Sequence, residues 1–394
     1  MSKIQRVIVL VLDGVGAGEA PDAAAYGDLG SNSLSNTDRV VGGLDLPHMG
    51  KLGLGYITPM QGVPPDPHPD GAYGRMAPRS AGKDTISGHW EMMGVILAKP
   101  FPTYPHGFPP EVIAEFEARI GRGVLGNYPA SGTEIIKVLG MEHLRTGKPI
   151  VYTSADSVFQ IAANDAVIPL DQLYWMCLQA REMLTGAHAV GRVIARPFVG
   201  DSPDTFKRTE NRRDYPLQPP VKTILQKAVE AGLEVCAVGK IDDIMAHTGI
   251  TRSKHTLNNA GSLQGTFEFL EEDFKGVIFT NLIEFDMIYG HRNDPHGYAA
   301  ALKRVDDAVP HILERLRPGD LAMFVADHGV DPTTPGTDHT RECSPLLVFG
   351  PPVQPGVDLG LRKTFSDVGA TIAQAFKLEP PELGASFLDE VLRS

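Results

Sequence analysis

The sequence is short of cysteine, of positive charge and of long apolar segments, and each shortage excludes a class of protein. Its three cysteines, Cys177, Cys236 and Cys343, lie far apart and form no CxxC pair, which excludes a disulfide framework and predicts reduced thiols in the cytoplasm. Lysine and arginine number 36 against 48 acidic residues, for a net charge of -12, which argues against nucleic acid as a partner. The apolar segment Arg6–Leu12 ends at Asp13, so it is too short to cross a membrane and instead predicts a buried strand.

Length and proline content predict how the chain divides. A chain of 394 residues is too long for one ordinary hydrophobic core, which predicts two domains. Residues 98–110 contain five prolines and residues 214–220 contain three. Because proline stiffens a connection and ends regular structure, these stretches mark the crossings between domains. We therefore predict a core formed by residues 1–99 and 219–394, with an α+β cap domain, residues 100–218, inserted into it.

The order of apolar runs and amphipathic segments predicts the fold class. Short runs rich in Val, Ile, Leu or Phe predict strands at residues 7–12, 235–238, 277–281, 321–326 and 346–349. Helical spacing appears at residues 220–231, 299–316 and 364–375. In the inserted domain, residues 170–184 predict a helix and residues 190–199 a strand. Strands that alternate with helices predict a doubly wound α/β core around a parallel sheet covered on both faces.

Acidic and histidine side chains follow several of the predicted strands. They are Asp13, Asp286, His291, Asp327, His328 and His339. Because ligands of open α/β sheets bind at the carboxyl ends of the strands, we expect these side chains to converge. Taken singly, an Asp after a strand is often a helix cap and a histidine is more often structural than a ligand. Their joint occurrence at strand ends favours a metal centre.

The number and type of these side chains predict two metal sites of about three ligands each. Mixed carboxylate and imidazole ligation favours Mn²⁺ or Zn²⁺ and suits Ca²⁺ poorly. Two divalent ions carry more charge than the three carboxylates, so the centre would be positive within an acidic protein. Such a centre attracts phosphate and stabilises an in-line displacement at phosphorus.

The segment AGKDTISGHWEMMG contains a candidate nucleophile, Thr85, just before a helix predicted to begin near His89. Backbone N–H groups at a helix start favour negative charge, which suits a phosphorylated hydroxyl. A threonine hydroxyl is a weak nucleophile until a neighbouring metal activates it. The alternative is that Thr85 or Ser87 only caps the helix, which either residue would do well.

Longer motifs extend this interpretation along essentially the whole chain. They are VLDGVGAGEAPDAAAYGDLGSNSL, GKDTISGHWEMMG, YTSADSVFQIAAN, GRVIARPFVG, NRRDYPL, VGKIDDI, EFDMIYGHRND, ADHG and TDHTRE. Together they resemble the phosphopentomutase family, which belongs to the alkaline phosphatase superfamily. The metal motifs alone would specify only the superfamily, whereas PFPTYPHGFP, TSADSVFQIAA and RVIARPF resemble the pentomutases in particular.

The resemblance implies a role for each candidate residue within an alkaline-phosphatase-like core. One metal ion would bind Asp13, Asp327 and His328, and the other Asp286, His291 and His339. Thr85 would be the phosphorylated residue, facing both ions. The positions that match contacts to the sugar phosphate, most of them in the inserted domain or at its edge, are Asp156, Arg192, Arg196, Arg208 and Lys240. Which of the two RVIAR arginines contacts phosphate is open. Two further histidines, His247 and His255, lie outside the family's metal pattern.

The function that the resemblance implies is the interconversion of (deoxy)ribose 1-phosphate and (deoxy)ribose 5-phosphate. The expected route runs through phosphothreonine and a pentose 1,5-bisphosphate, with two divalent ions, Mn²⁺ foremost, and a sugar bisphosphate as activator. Pentose phosphates would be the partners, with neither nucleic acid nor a membrane. The alternatives are a metal-dependent phosphatase of the same superfamily and a catalytically silent metal-binding protein. A cofactor-independent phosphoglycerate mutase is a further relative, but the inserted domain and the threonine nucleophile favour the pentomutase.

Overall fold

The computed structural model describes residues 4–154 and 156–393, which form two compact units. The first, called the core unit below, consists of Met1–Pro100 and Pro219–Ser394, and the second, the inserted unit, is Phe101–Gln218. Both breaks fall inside the proline-rich stretches of the sequence. The chain therefore leaves the core unit and returns to it through segments that disfavour regular structure.

The described residues form fourteen strands and fourteen α-helices. The strands are β1 (Arg6–Leu12), β2 (Ala72–Met76), β3 (Leu125–Pro129), β4 (Ile150–Thr153), β5 (Val158–Asn164), β6 (Arg192–Val199), β7 (Lys207–Arg208), β8 (Arg213–Pro216), β9 (Glu234–Val238), β10 (Arg252–Lys254), β11 (Gly276–Leu282), β12 (Asp320–Val325), β13 (Ser344–Phe349) and β14 (Asp358–Arg362). The helices are α1 (Ser33–Val41), α2 (Pro47–Lys51), α3 (Leu54–Ile57), α4 (Thr85–Met92), α5 (Pro110–Ile120), α6 (Gly132–Thr146), α7 (Leu170–Met183), α8 (Ile224–Glu230), α9 (Ile241–Ile244), α10 (Asn259–Glu271), α11 (Pro295–Asp306), α12 (Val309–Arg315), α13 (Ser366–Phe376) and α14 (Leu388–Val391). Across residues 4–154 and 156–393, none of these helices has the length and apolar content needed to span a bilayer.

The core unit is built on an eight-stranded sheet in the order β10-β9-β11-β1-β12-β13-β2-β14. Its first five strands are parallel, as the sequence predicts. Strand β13, however, is antiparallel to both β12 and β2, so the sheet predicted to be parallel is mixed at this edge. The reason is local: residues 326–343 between β12 and β13 contain no helix, and without a helical crossover the chain returns beside β12 in the opposite direction.

The centre of this sheet sets the position of the site. Every residue of β1, β11 and β12 is buried, as expected for parallel strands covered on both faces. The register pairs Leu12 with Leu282 and Val11 with Val325. The three strands therefore end side by side, and the residues that follow them emerge at one edge.

Two predicted helices differ from the observed ones, one in where it begins and the other in being divided into two. Residues 220–231 become α8, which begins at Ile224 because Thr223 and Gln226 form a reciprocal capping pair. Residues 299–316 become α11 and α12, separated at residues 307–308. The second helix starts with Val309–Pro310, since proline is tolerated in a first turn but interrupts a helix interior.

The inserted unit contains a sheet in the order β3-β4-β5-β6-β7, with β8 paired to β6. Because side chains alternate along a strand, Val193 and Ala195 of β6 face one side and Arg192 and Arg196 face the other. Val193 and Ala195 pack in an apolar cluster with residues of α5 and α7. On the opposite face, α6 covers Phe198 at the end of β6, while both arginines stay only half-buried.

A buried histidine in α6 predicts that the stability of the inserted unit depends on pH. The Nδ1–H of His143 donates to the Lys148 carbonyl at 2.7 Å, and its Nε2 accepts from the Asn164 N–H at 2.8 Å. Accepting at Nε2 requires a neutral ring, and burial lowers the pKa of His143 below its usual value. The unfolded chain therefore takes up the proton more readily, so this contribution is complete above pH ~6.5 and is lost as pH falls.

His143→Gln should therefore destabilise the inserted unit at pH 7.5 by about 1–3 kcal/mol, because buried hydrogen bonds are lost. The difference from wild type should shrink as pH falls towards 5.5. Urea-dependent pulse proteolysis, read through peptides of residues 101–218, measures the free energy of unfolding. A difference that grows on acidification would contradict the prediction.

Candidate active site

Two groups of side chains lie at the carboxyl end of the central strands. Asp13 follows β1, and Asp327 with His328 follows β12. Asp286 stands in a π-helical turn, Phe285–Tyr289, just after β11. The structure thus brings together residues that are hundreds of positions apart in the chain, through the register of three adjacent strands.

The first group consists of Asp13, Asp327 and His328, all buried. The Nε2 of His328 lies 3.5 Å from Asp13 Oδ1 and 3.3 Å from Asp327 Oδ2. The other carboxylate oxygens are already held, since Asn281 Nδ2 donates to Asp13 Oδ2 at 2.7 Å and the Gly14 N–H donates to Asp327 Oδ1 at 3.1 Å. Each carboxylate is thereby oriented with one oxygen turned towards the histidine.

The second group consists of Asp286, His291 and His339. Asp286 Oδ1 lies 3.2 Å from His291 Nε2 and 3.0 Å from His339 Nε2. Burial works to raise the pKa of Asp286, but the two imidazoles outweigh it and hold that pKa below its ordinary value. The carboxylate therefore stays ionised, which is the form that binds a cation.

The imidazoles are oriented by backbone carbonyls. The Nδ1–H of His291 donates to the Thr337 carbonyl at 2.6 Å, and the Nδ1–H of His328 donates to the Gly329 carbonyl at 3.1 Å. A histidine whose Nδ1 donates in this way directs its Nε2 at a ligand, as metal-binding histidines do. The rings of His328 and His339 stack with centroids 3.9 Å apart, so the two groups are adjacent.

Buried atoms without hydrogen-bond partners mark where positive charge would fit. Among the described residues, they include Asp13 Oδ1, Asp286 Oδ1, Asp327 Oδ2 and His339 Nε2. Burial raises the pKa of Asp13 well above its usual value, and the nearby carboxylates of Asp327 and Asp286 raise it further. Buried polar atoms normally have partners, and divalent cations would both supply them and relieve this repulsion. The donor set therefore fits two divalent ions.

A third cluster of potential ligands, His48, Asp306 and Asp307, has a different explanation. Asp306 accepts the backbone N–H of Met49 at 2.7 Å through Oδ1 and that of His48 at 3.3 Å through Oδ2. Both of its oxygens therefore satisfy the open N–H groups at the start of α2, as a capping carboxylate does.

Thr85 is the first residue of α4, and its hydroxyl lies beside the candidate metal ligands. Its Oγ1 is 3.2 Å from His328 Nε2. The helix cap is Asp84, whose carboxylate accepts from the Ser87 N–H at 3.0 Å and from the Ser87 hydroxyl at 2.6 Å. The alternative that Thr85 or Ser87 caps the helix is thus wrong. The helix also begins four residues before His89, since Asp84 already supplies its cap.

Helix α4 is fixed against its surroundings. A Cβ added at Gly88 would lie 2.1 Å from the Asp327 carbonyl oxygen, so glycine permits direct contact between α4 and the loop after β12. Trp90 Nε1 donates to the Ile244 carbonyl at 2.9 Å. The buried Glu91 carboxylate accepts from Arg79, Ser80, Thr364 and Phe365. Thr85 therefore stands on a rigid support.

Sequence reasoning missed three polar residues beside the site: His89, Asn281 and Glu91. All three are buried. A signal existed for Asn281, because an amide at the end of an otherwise apolar strand must find buried partners. His89 and Glu91 lie in a motif quoted for Thr85, and only the packing of α4 reveals what they contact.

The predicted sugar-phosphate residues of the inserted unit lie near the exposed part of β6. Arg192 Nη2 is 3.9 Å from Asp156 Oδ2, and its Nη1 is 3.7 Å from Asp214 Oδ2. Arg196 Nε donates to Gln160 Oε1 at 3.0 Å. Arg208 is exposed on β7 and pairs with Phe198 of β6 across the sheet. These residues share one polar surface of the inserted unit.

Lys240 belongs to the core unit and lies near the second ligand group. It follows β9 and precedes α9. Its Nζ is 4.0 Å from Sδ of Met287, the residue after Asp286. The structure therefore places the ammonium group of Lys240 at the same edge of the sheet as the aspartates.

Comparisons with known proteins show the family to which this chain belongs. The sequence profile of the family described as Metalloenzyme superfamily matches residues 5–380. The structure of the PH0037 protein from Pyrococcus horikoshii has a TM-score of 0.50 at 14% identity, covering 98% of this chain and 100% of that one, which supports the fold alone. The chain belongs to the metalloenzyme superfamily, whose core is like that of alkaline phosphatase.

Curated relatives narrow the assignment within this class. The phosphopentomutase of Herpetosiphon aurantiacus is 63% identical over 98% of this chain and 99% of its own length. The phosphopentomutase of Caldanaerobacter subterraneus is 60% identical over 98% of each chain. The chain therefore belongs to the phosphopentomutase family. The predicted family, fold class and enzyme class, an isomerase of the intramolecular phosphotransferase type, are confirmed.

Proposed function

We propose that this chain interconverts (deoxy)ribose 1-phosphate and (deoxy)ribose 5-phosphate through phosphothreonine at Thr85. The observation that carries the proposal is the position of Thr85 Oγ1, 3.2 Å from His328 Nε2, at the start of a fixed helix in a phosphopentomutase-family chain. A hydroxyl beside two Asp/His groups is placed to accept and return a phosphoryl group.

The proposed cycle balances without water. Phosphothreonine donates its phosphoryl group to the free hydroxyl of a pentose monophosphate, so the Thr85 Oγ1–P bond breaks as a sugar O–P bond forms. The hydroxyl proton passes to Thr85 Oγ1 and, in the return step, back to the sugar oxygen. The product is a bound pentose 1,5-bisphosphate. Its other phosphoryl group then returns to Thr85 Oγ1, which leaves the isomeric monophosphate and restores phosphothreonine. A trace of sugar bisphosphate would prime an unphosphorylated chain.

Six residues would hold the metal ions in this proposal. Asp13, Asp327 and His328 form one set, and Asp286, His291 and His339 form the other. When bound, two divalent ions, with Mn²⁺ as the proposed native metal, would stabilise charge on the phosphoryl oxygens and help to deprotonate the hydroxyl. The backbone N–H groups at the start of α4 add a favourable field for the phosphate on Thr85.

The inserted unit is proposed to recognise the sugar phosphate, and its contacts favour Arg192 over Arg196 as the phosphate ligand. Arg196 already donates to Gln160 at 3.0 Å, which holds its guanidinium in place. Arg192 is 38% exposed, and its ion pairs with Asp156 and Asp214 are long, at 3.9 and 3.7 Å. A guanidinium that is weakly held can turn to bind a phosphate bidentately.

Arg192→Ala should therefore raise the KM for ribose 1-phosphate about 10- to 100-fold, since a charge-assisted pair is worth roughly 1.5–3 kcal/mol. Arg196→Ala should change KM less and reduce the stability of the inserted unit more. Arg145→Ala, which removes a 75% exposed guanidinium from α6 of the same unit, is the matched control. Initial rates across a substrate series distinguish them, and equal KM effects for all three variants would contradict the assignment.

The proposed reaction is tested by following both products in one tube. The enzyme, treated with chelator and then supplied with Mn²⁺ and a trace of pentose 1,5-bisphosphate, should convert ribose 1-phosphate to ribose 5-phosphate without releasing inorganic phosphate. Phosphorus NMR measures both species. Stoichiometric release of phosphate would instead establish a phosphatase, and bound metal without turnover or phosphothreonine would establish a silent metal-binding protein.

We also propose that the protein acts in the cytoplasm. All three of its cysteines are buried and none forms a disulfide, which supports a reducing environment. Its partners would be small pentose phosphates.

A further inference from the structure

A buried hydrogen-bonded chain connects the backbone of Thr85 to Asp13, and the proposed reaction does not use it. His89 Nδ1 lies 2.8 Å from the Thr85 carbonyl oxygen. His89 Nε2 lies 3.3 Å from Asn281 Nδ2, which also donates to Asp13 Oδ2 at 2.7 Å. Both linking side chains are 0% exposed, so water does not compete with these contacts.

The partners determine the direction of each hydrogen bond. The Thr85 carbonyl can only accept, so His89 Nδ1 carries the hydrogen. The Asn281 amide group donates one hydrogen to Asp13, and its second hydrogen faces His89 Nε2, which accepts. One tautomer of His89 and one orientation of the Asn281 amide satisfy these three hydrogen bonds.

His89 also contacts the other side of the first ligand group. Its Nδ1 lies 3.3 Å from Asp327 Oδ2, an oxygen without a hydrogen-bond partner. The preceding residue, Gly88, packs on the Asp327 backbone. A single imidazole therefore touches the backbone of the candidate nucleophile and the carboxylate of one candidate ligand, and it reaches a second ligand through Asn281.

We infer that His89 and Asn281 are positioning residues that align the Thr85 hydroxyl with Asp13 and Asp327. This inference rests on the proposed function of Thr85. Phosphoryl transfer depends on alignment, and a misplacement of about 1 Å can cost about 100-fold in rate. Removing the contacts of His89 or Asn281 should slow phosphoryl transfer at Thr85 while the binding of the sugar phosphate is preserved. A buried histidine that only filled space would affect stability instead.

Two substitutions separate the contacts of the imidazole. His89→Asn retains an amide at the δ position and can still donate to the Thr85 carbonyl. His89→Gln places its amide at the ε position, so it can meet Asn281 but not the Thr85 carbonyl. We expect His89→Gln to lower the single-turnover rate of Thr85 phosphorylation by pentose 1,5-bisphosphate about 100-fold. His89→Asn should stay within about 10-fold of wild type.

The same experiment includes a partner variant and a control. Asn281→Leu keeps the branched shape of the side chain and removes the amide, so it should slow phosphorylation. Combining it with His89→Gln should add little, because coupled residues are not additive. His143→Gln removes a buried histidine from the inserted unit and should lower stability without changing the phosphorylation rate. The KM for ribose 5-phosphate and the metal content per chain should stay within about 2-fold of wild type for His89→Gln and Asn281→Leu.

The outcomes separate this inference from the proposed function. If wild type forms no phosphothreonine at position 85, the proposed function fails. If wild type forms it and His89→Gln phosphorylates at the wild-type rate per metal-loaded chain, His89 is only structural and the inference is overturned. Equal rates for His89→Asn and His89→Gln, or fully additive effects with Asn281→Leu, also overturn it. If His89→Gln does not fold, Asn281→Leu alone decides. A slower phosphorylation rate with an unchanged KM supports the inference, and a wild-type rate overturns it.

Discussion

Thr85→Ala is expected to lower turnover by roughly 10⁴- to 10⁶-fold, as the loss of a covalent nucleophile does in other enzymes. Thr85 Oγ1 lies beside His328 Nε2, but each of the two groups already has three candidate ligands without it. The variant should therefore still bind about two metal ions per chain. Initial rates with ribose 1-phosphate, and elemental analysis of the dialysed protein, measure the two quantities.

The controls for this prediction come from the same position. Thr85→Ser retains a hydroxyl and should keep far more activity than Thr85→Ala, since the helix start is capped by Asp84 and does not depend on the threonine. Intact-mass analysis after incubation with pentose 1,5-bisphosphate should show one added phosphoryl group in wild type and Thr85→Ser only. More than a few per cent of wild-type activity in Thr85→Ala would show that the covalent route is wrong.

Asp286→Asn is expected to have the second largest effect. Both His291 and His339 approach Asp286 Oδ1, at 3.2 and 3.0 Å. Replacing the carboxylate by an amide removes the negative charge that would hold an ion between these imidazoles. Metal content should fall from about two ions to about one, and turnover should fall by several orders of magnitude, because two-metal sites stabilise both oxygens of the displacement.

The matched control is Asp338→Asn. Asp338 is the neighbour of His339 in the chain, but its side chain is 81% exposed and its ion pair is with Lys83 at 3.5 Å. An exposed pair of this kind contributes little, so metal content and turnover should stay close to wild type. Elemental analysis measures the metal content of both variants, and the isomerase assay measures their turnover. Two retained ions in Asp286→Asn would remove Asp286 from the ligand set.

The sequence alone predicted the kind of chemistry and the central strands of the core sheet. Apolar runs predicted β1, β9, β11, β12 and β13 to within about two residues at each end, because strand formation follows the local pattern of burial. The acidic and histidine residues after these strands predicted a metal centre, since the carboxyl edge of a parallel sheet collects ligands. The family motifs added the particular reaction.

Tertiary structure decided how these parts meet. Asp84, rather than Thr85 or Ser87, caps α4, and β13 runs antiparallel to β12. Neither outcome follows from composition or spacing, because several residues could cap the helix and an apolar run predicts a strand without predicting its direction.

The division of the candidate ligands into two groups of three depends on the same packing. Asp13 and Asp327 are separated by more than three hundred positions, and only the register of β1 with β12 makes them neighbours. The link through His89 and Asn281 joins two distant elements, α4 and β11, in the same way. Local sequence sets which side chains follow each strand. The long-range packing of the sheet sets which of these side chains come within hydrogen-bonding distance of one another, and catalysis depends on that packing.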